Sequence, residues 1–179
     1  MRPELMRPAY HGNIEALYEL IHQDRPFAQT PLHVAVAMRH TNFALEIMRL
    51  KPSLSKKLNP NGWCPFHVAL LSNQTSTVYR LLETKPELVC VKGREGFTSL
   101  LVENDNLNLL CEFLAVNPLS ITDTTNRGQT ALHIAVNKGN TRALNVLLSF
   151  LRRSLYREAL YWEEKVLNWK DKNGDSVLL

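Results

Sequence analysis

Apolar residues recur at helical spacing in four blocks: Phe43-Ala44-Leu45-Glu46-Ile47-Met48, Val78-Tyr79-Arg80-Leu81-Leu82, residues 107–114 and residues 143–148. Each block predicts an amphipathic helix with one face turned to a core. Pro52, Pro86 and Pro118 come just after three of the blocks. They stop those helices, because proline has no amide hydrogen to continue the ladder. A shorter apolar stretch precedes the blocks, opened by a repeated hexapeptide. Thr30-Pro31-Leu32-His33-Val34-Ala35 recurs as Cys64-Pro65-Phe66-His67-Val68-Ala69 and as Thr130-Ala131-Leu132-His133-Ile134-Ala135. Thr98-Ser99-Leu100-Leu101 is a degraded copy, and Ser176-Val177-Leu178-Leu179 begins another. The starts lie 34, 34, 32 and 46 residues apart.

Glycine marks the same phase. Gly62, Gly96, Gly128 and Gly174 each stand two residues before a motif start. The spacing predicts a tight turn at φ > 0, which glycine adopts without steric cost. Ala28 holds that place before the first motif. Thr30, Thr98 and Thr130 can cap the short first helix with a hydroxyl, and Pro31 and Pro65 suit its first position. Cys64 is a poorer cap.

This pattern resembles the ankyrin repeat, whose signature is T-P-L-H-x-A at a period near 33 residues. The tetratricopeptide repeat, with a similar period, lacks both the motif and the glycine turn. The resemblance implies an all-α ankyrin-repeat solenoid, with helix-turn-helix pairs joined by β-hairpin-like loops. Residues 1–179 read as a single domain. It comprises a partial N-terminal repeat at 1–29, repeats at 30–61 and 62–95, and a degenerate repeat at 96–127. A repeat with an extended second helix or insert follows at 128–173, and 174–179 starts a further repeat. Residues 9–21 look like the end of the N-terminal repeat, Gly12-Asn13 matching Gly139-Asn140. The pattern departs at Leu101, where the motif histidine should stand, and at the short stretch between Ile21 and Thr30. The chain ends inside a first helix, as a truncated product or expression fragment would.

A narrower resemblance rests on Lys51-Pro52-Ser53-Leu54, Lys85-Pro86-Glu87-Leu88 and residues 91–96. These segments, and the insert at 152–166, are similar to plant ankyrin proteins with a C-terminal PGG membrane domain. That family implies a place in defence and immune signalling, with membrane-anchored relatives whose repeats face the cytosol. The PGG domain itself is absent from these residues. Leu151, Leu155, Ala159 and Trp162 fall at helical spacing, so the insert reads either as a lengthened helix packed on the outer face or as a docking arm carrying Arg152, Arg153 and Arg157.

Composition narrows the function classes. Hydrophobic residues make up 45% and charged residues 21%, ordinary for a globular chain. The net charge of +4 is scattered, which disfavours nucleic acid as the partner. Cys64, Cys90 and Cys111 are odd in number and form no C-x-x-C, which fits a reducing compartment, and the expected location is cytoplasmic. No signal peptide or membrane span is read.

No cofactor, metal or small-molecule substrate is expected, and the chain reads as not an enzyme. There is no phosphate-loop, G-x-S-x-G or H-E-x-x-H motif. His33, His67 and His133 occupy the repeat position on separate stacked helices about 8–10 Å apart, too far to share one metal. The resemblance implies a structural role for them. Asp171 and Asp175 lack a calcium-loop spacing. Cys64 and His67 belong together to the repeat motif rather than to a catalytic pair.

A non-catalytic scaffold or adaptor for a protein partner is therefore the reading. Its partner-binding residues on the ankyrin pattern flank the turn glycines: Asn61, Trp63, Arg94, Glu95, Phe97, Arg127, Gln129, Asn173 and Asp175, joined by Asn137 and Lys138 on a first helix. Trp63 and Phe97 share one repeat position and are open to two readings, anchors for a partner or rings stacking hairpin on hairpin. The alternatives are a regulatory fragment of a larger enzyme or membrane protein, and a truncated gene copy without a present role.

Overall fold

The computed structural model describes residue 11 and residues 30–102, 106–154 and 164–177. The half-repeat read at residues 9–21, apart from His11, and the middle of the insert at 155–163 lie outside the described residues. Among the described residues every regular element is helical. The chain forms two compact units, Met1–Arg94 and Glu95–Leu179.

In the first unit, α1 (Pro31–Ala37) pairs with α2 (Thr41–Leu50), and α3 (Pro65–Leu71) with α4 (Thr75–Thr84). In the second, α5 (Ser99–Val102) pairs with α6 (Leu107–Val116), and α7 (Ala131–Asn137) with α8 (Thr141–Ser154). The turn inside a pair passes through one left-handed residue, Arg39 (φ 63), Asn73 (φ 51) or Gly139 (φ 64). These three share one repeat position, nine after the motif start, and only glycine occupies it without strain.

The motif supplies the core. Leu32, Phe66, Leu100 and Leu132 occupy one repeat position, and each is fully buried. So are Ala35, Ala69 and Ala135, whose small side chains let the neighbouring helix approach. On the second helices Ile47, Leu81, Phe113 and Leu147 are all at zero exposure. The helical spacing of the apolar blocks therefore marks the buried seam in each unit. Polar groups bind the seam too. In the first unit Gln74 Nε2 donates to the Val36 carbonyl at 2.9 Å, and Thr41 and Thr77 hydroxyls meet at 2.7 Å.

The prolines after α2, α4 and α6 do more than end helices. Each opens a 3₁₀ helix: Pro52–Lys56, Pro86–Cys90 and Pro118–Thr122. These turns bury Leu54, Leu88 and Val89, and Ile121. Ser55 and Ser120 close two of them by donating to the Pro52 and Asn117 carbonyls, both at 2.6 Å. α8 runs 14 residues against 10 for α2, α4 and α6.

Leu132 sits at the centre of the second unit's core at zero exposure. Leu132→Ala should destabilise the protein by about 2–5 kcal/mol, read as a lower urea midpoint. An unchanged midpoint would contradict the register.

Candidate functional site

The repeat histidine is the joint between one helix pair and the next loop. In the first unit, His33 Nε2 lies 2.9 Å from the Trp63 carbonyl, and Nδ1 lies 2.7 Å from the Thr30 hydroxyl. A carbonyl only accepts, so Nε2 carries the proton and Nδ1 accepts from Thr30. In the second unit His133 repeats the geometry. Its Nδ1 accepts from Thr130 Oγ1 at 2.8 Å and from Thr130 N at 3.2 Å. Its Nε2 donates to the Trp169 carbonyl at 3.0 Å and the Asp175 carbonyl at 3.3 Å.

His67 keeps half of this pattern. Its Nδ1 accepts the Cys64 backbone N–H at 3.4 Å and lies 3.1 Å from Cys64 Sγ. Its buried Nε2 has no hydrogen-bond partner among the described residues. Burial holds His67 down to about 4 and pushes the Cys64 thiol up to about 11. The proton stays on sulfur and the imidazole stays neutral, so the pair cannot supply a thiolate near neutral pH. In the degenerate repeat, Leu101 fills the histidine's place and is buried. The Thr98 hydroxyl is buried there without a partner among the described residues, a loss worth about 1–3 kcal/mol.

The hairpin loops have a second framework residue that the motif does not include. Asn59 Oδ1 accepts from the backbone of Asn61 and of Trp63, both at 3.0 Å. Thr125 Oγ1 accepts from Arg127 N at 3.2 Å and Gln129 N at 3.3 Å. Asp171 Oδ1 accepts from Asn173 N at 2.8 Å and Asp175 N at 3.1 Å. Each stands five residues before a motif start. The same residues close the loop by backbone, Asn59 N donating to the Trp63 carbonyl at 2.8 Å and Asp171 N to that of Asp175 at 2.9 Å. Gly93 takes this position in the remaining loop and has no side chain to offer.

The turn glycines adopt φ of 77 to 88 at Gly62, Gly96, Gly128 and Gly174. Stacking adds a second demand. A Cβ on Gly62 would lie 3.0 Å from Arg94 Cβ, and one on Gly96 2.8 Å from Asn126 Oδ1. Loops therefore ride on one another within each unit. Asn126 N donates to the Glu95 carbonyl at 2.7 Å, and Lys172 N to the Arg127 carbonyl at 2.9 Å.

The residues expected to meet a partner divide by environment. Asn61 and Arg94 in the first unit are exposed, as are Glu95, Arg127, Asn137, Lys138, Asn173 and Asp175 in the second. Glu95 is left-handed at φ 54. Gln129 is half-buried, its amide 3.4 Å from Asp171 Oδ2. Phe97 is half-buried. Trp63 is half-buried with its ring edge-on to His67 at 5.4 Å between centroids. A Cβ at Gly93 would come within 2.9 Å of that ring.

Among the described residues no cluster of three metal-ligating side chains occurs. An open hollow of about 500 Å³ between α6 and α8 is lined by Cys111, Leu114, Val146, Phe150 and Arg153 among others, and holds no acid–base pair. No helix among the described residues is long and apolar enough to cross a membrane.

With this geometry in place, two family matches decide the class. A model of three ankyrin repeats matches residues 5–92, and a single ankyrin repeat matches residues 127–151. The chain contains ankyrin repeats. The segment between the matches contains the repeat that has lost its histidine. No curated protein matches the sequence. Among solved structures, this chain is similar to a chain in the complex of the predatory endopeptidase Bd0816 from Bdellovibrio bacteriovorus with the immunity protein Bd3460. Identity is 18% and the TM-score 0.69, covering 99% of this chain and 89% of that one. At this identity the likeness shows the fold alone, an all-α repeat solenoid. Ankyrin repeats imply a protein–protein interaction module.

Two outcomes follow from the site. Burial lowers His33 and, further, His67 below the ordinary histidine value of 6.5. The unfolded chain therefore binds protons that the fold refuses. Stability is complete above pH 6.5 and falls as pH drops toward 4, by roughly 1.4 kcal/mol per pH unit for His67. Urea midpoints at pH 7.5 and pH 5 should differ in that sense. Gly93→Ala should cost about 1–3 kcal/mol by overpacking against Trp63 and His67, and a melting temperature equal to wild type would contradict the contact.

Proposed function

We propose that the protein is a scaffold or adaptor that holds a protein partner on the exposed loop and first-helix residues of its units. The residues are Asn61, Trp63, Arg94, Glu95, Phe97, Arg127, Gln129, Asn137, Lys138, Asn173 and Asp175. One observation carries this reading. The loops are held by backbone bonds, by Asn59, Thr125 and Asp171, and by the motif histidines. The tips are thus free to vary; Asn61 and Arg127 are exposed there, and Asn137 and Lys138 are exposed at the end of α7. Preformed loops of this kind bind without the ordering cost that a flexible loop incurs.

Plant signalling or defence is the setting proposed, on the segments at 51–54, 85–88 and 91–96. The first two of these lie in the 3₁₀ turns that bury Leu54 and Leu88. A binding role also accords with the fold's occurrence in an endopeptidase–immunity protein complex.

Affinity capture with wild type and with Asn61→Ala/Arg127→Ala/Lys138→Ala tests the surface. Trp63 is left intact because its ring packs on His67. The triple variant should fold as wild type by circular dichroism and lose most of the captured partner. Retention of every partner by the folded variant refutes the surface.

A further inference from the structure

Cations outnumber acids on the loops of residues 30–94. The first unit's loop residues at 56–63 and 91–94 contain Lys56, Lys57, Lys92 and Arg94, and the one acid that follows, Glu95, shares its turn with Arg94 at the start of the second unit. All four cations are exposed. The acids of residues 30–94 are Glu46, Glu83 and Glu87, on α2, on α4 and on the 3₁₀ turn after α4. Glu46 pairs with Arg49 and Glu87 with Lys85. Lys56, Lys57 and Lys92 have no ion pair among the described residues.

These cations gather around one loop. Lys57 acts electrostatically on His33, whose Nε2 holds the Trp63 carbonyl. Gly93, next to Lys92, abuts the Trp63 ring, and Arg94 packs over Gly62. Leu58, beside Lys57, is 40% exposed. The second unit's loops differ, interspersing Glu95, Asp123, Asp171 and Asp175 with Arg127 and Lys172.

Resting on the scaffold reading above, we propose that the loop row of the first unit docks an acidic protein segment bearing leucine or aromatic side chains. Lys56, Lys57 and Lys92 face its carboxylates, and Leu58 meets an apolar side chain. Opposite charge steers the encounter and sets specificity. A nucleic acid fits less well. So few cations release few counterions, and the one ring at hand, Trp63, is occupied by His67 and Gly93 rather than offered for base stacking.

Fluorescence anisotropy on the whole chain decides, with a labelled peptide rich in Glu, Leu and Phe, its Gln-for-Glu counterpart, and a labelled single-stranded oligodeoxythymidine. The acidic peptide should bind and weaken as salt rises, and the Gln peptide should bind at least about tenfold more weakly. Lys57→Glu/Lys92→Glu should lose about tenfold or more for the acidic peptide, while Arg80→Glu on α4 changes nothing. Equal binding of the two peptides, no salt dependence, tighter binding of the oligonucleotide, or full affinity in the double variant each overturns the proposal. Should the double variant fail to fold, the wild-type salt and peptide comparisons still decide. A double variant that loses the acidic peptide's selectivity supports the proposal even if the Asn61/Arg127/Lys138 variant keeps its partner. A partner that the folded double variant still captures in full leaves the scaffold reading standing and removes this one.

Discussion

The structure depends on an imidazole used from both ends. Nδ1 closes the first turn of its own helix, and Nε2 reaches the carbonyl of the next loop, as in His33 to Trp63 and His133 to Trp169 and Asp175. A neutral histidine has one acceptor and one donor, so the ring is fully satisfied while buried. That single side chain sets the distance and angle between a helix pair and the loop after it. Where it is replaced, at Leu101, apolar packing survives but the Thr98 hydroxyl is left alone among the described residues. Where its second partner is missing among those residues, at His67, the polar nitrogen is stranded in the core.

Much of this was legible from residue pattern. The hexapeptide located α1, α3 and α7, the apolar blocks located the second helices, and the glycine phase implied positive φ at Gly62, Gly96, Gly128 and Gly174, all of which have it. A hydrophobic seam and a steric turn leave strong periodic signals, because each demands one residue type at one place. Less was visible where several residue types meet the same need. Asn59, Thr125 and Asp171 do one job with an amide, a hydroxyl and a carboxylate, so no shared letter marked them. The prolines at 52, 86 and 118 read as stops, and the 3₁₀ turns they open depend on burial of Leu54, Leu88 and Ile121, which spacing alone does not disclose. Trp63 was open between anchor and packing, and its ring contact with His67 requires coordinates.

The cysteines illustrate how environment overrides identity. Cys64 stands beside a histidine, the pairing that activates a nucleophile elsewhere. Here both are desolvated together, which raises the thiol and lowers the imidazole. The contact is a substitute for the Thr–His bond of the neighbouring repeats, and its chemistry is that of a helix cap.

Because Asn59, Thr125 and Asp171 fasten their loops through bonds to backbone amides, the letters at the tips carry little of the folding burden. Lineages can rewrite those letters one at a time without re-solving the architecture, and an engineer could graft new tips on the same footing. The Gly93 loop is the exception. It has given up its fastener for a tight fit against Trp63 and His67, and in doing so has exchanged evolvability for commitment to one shape.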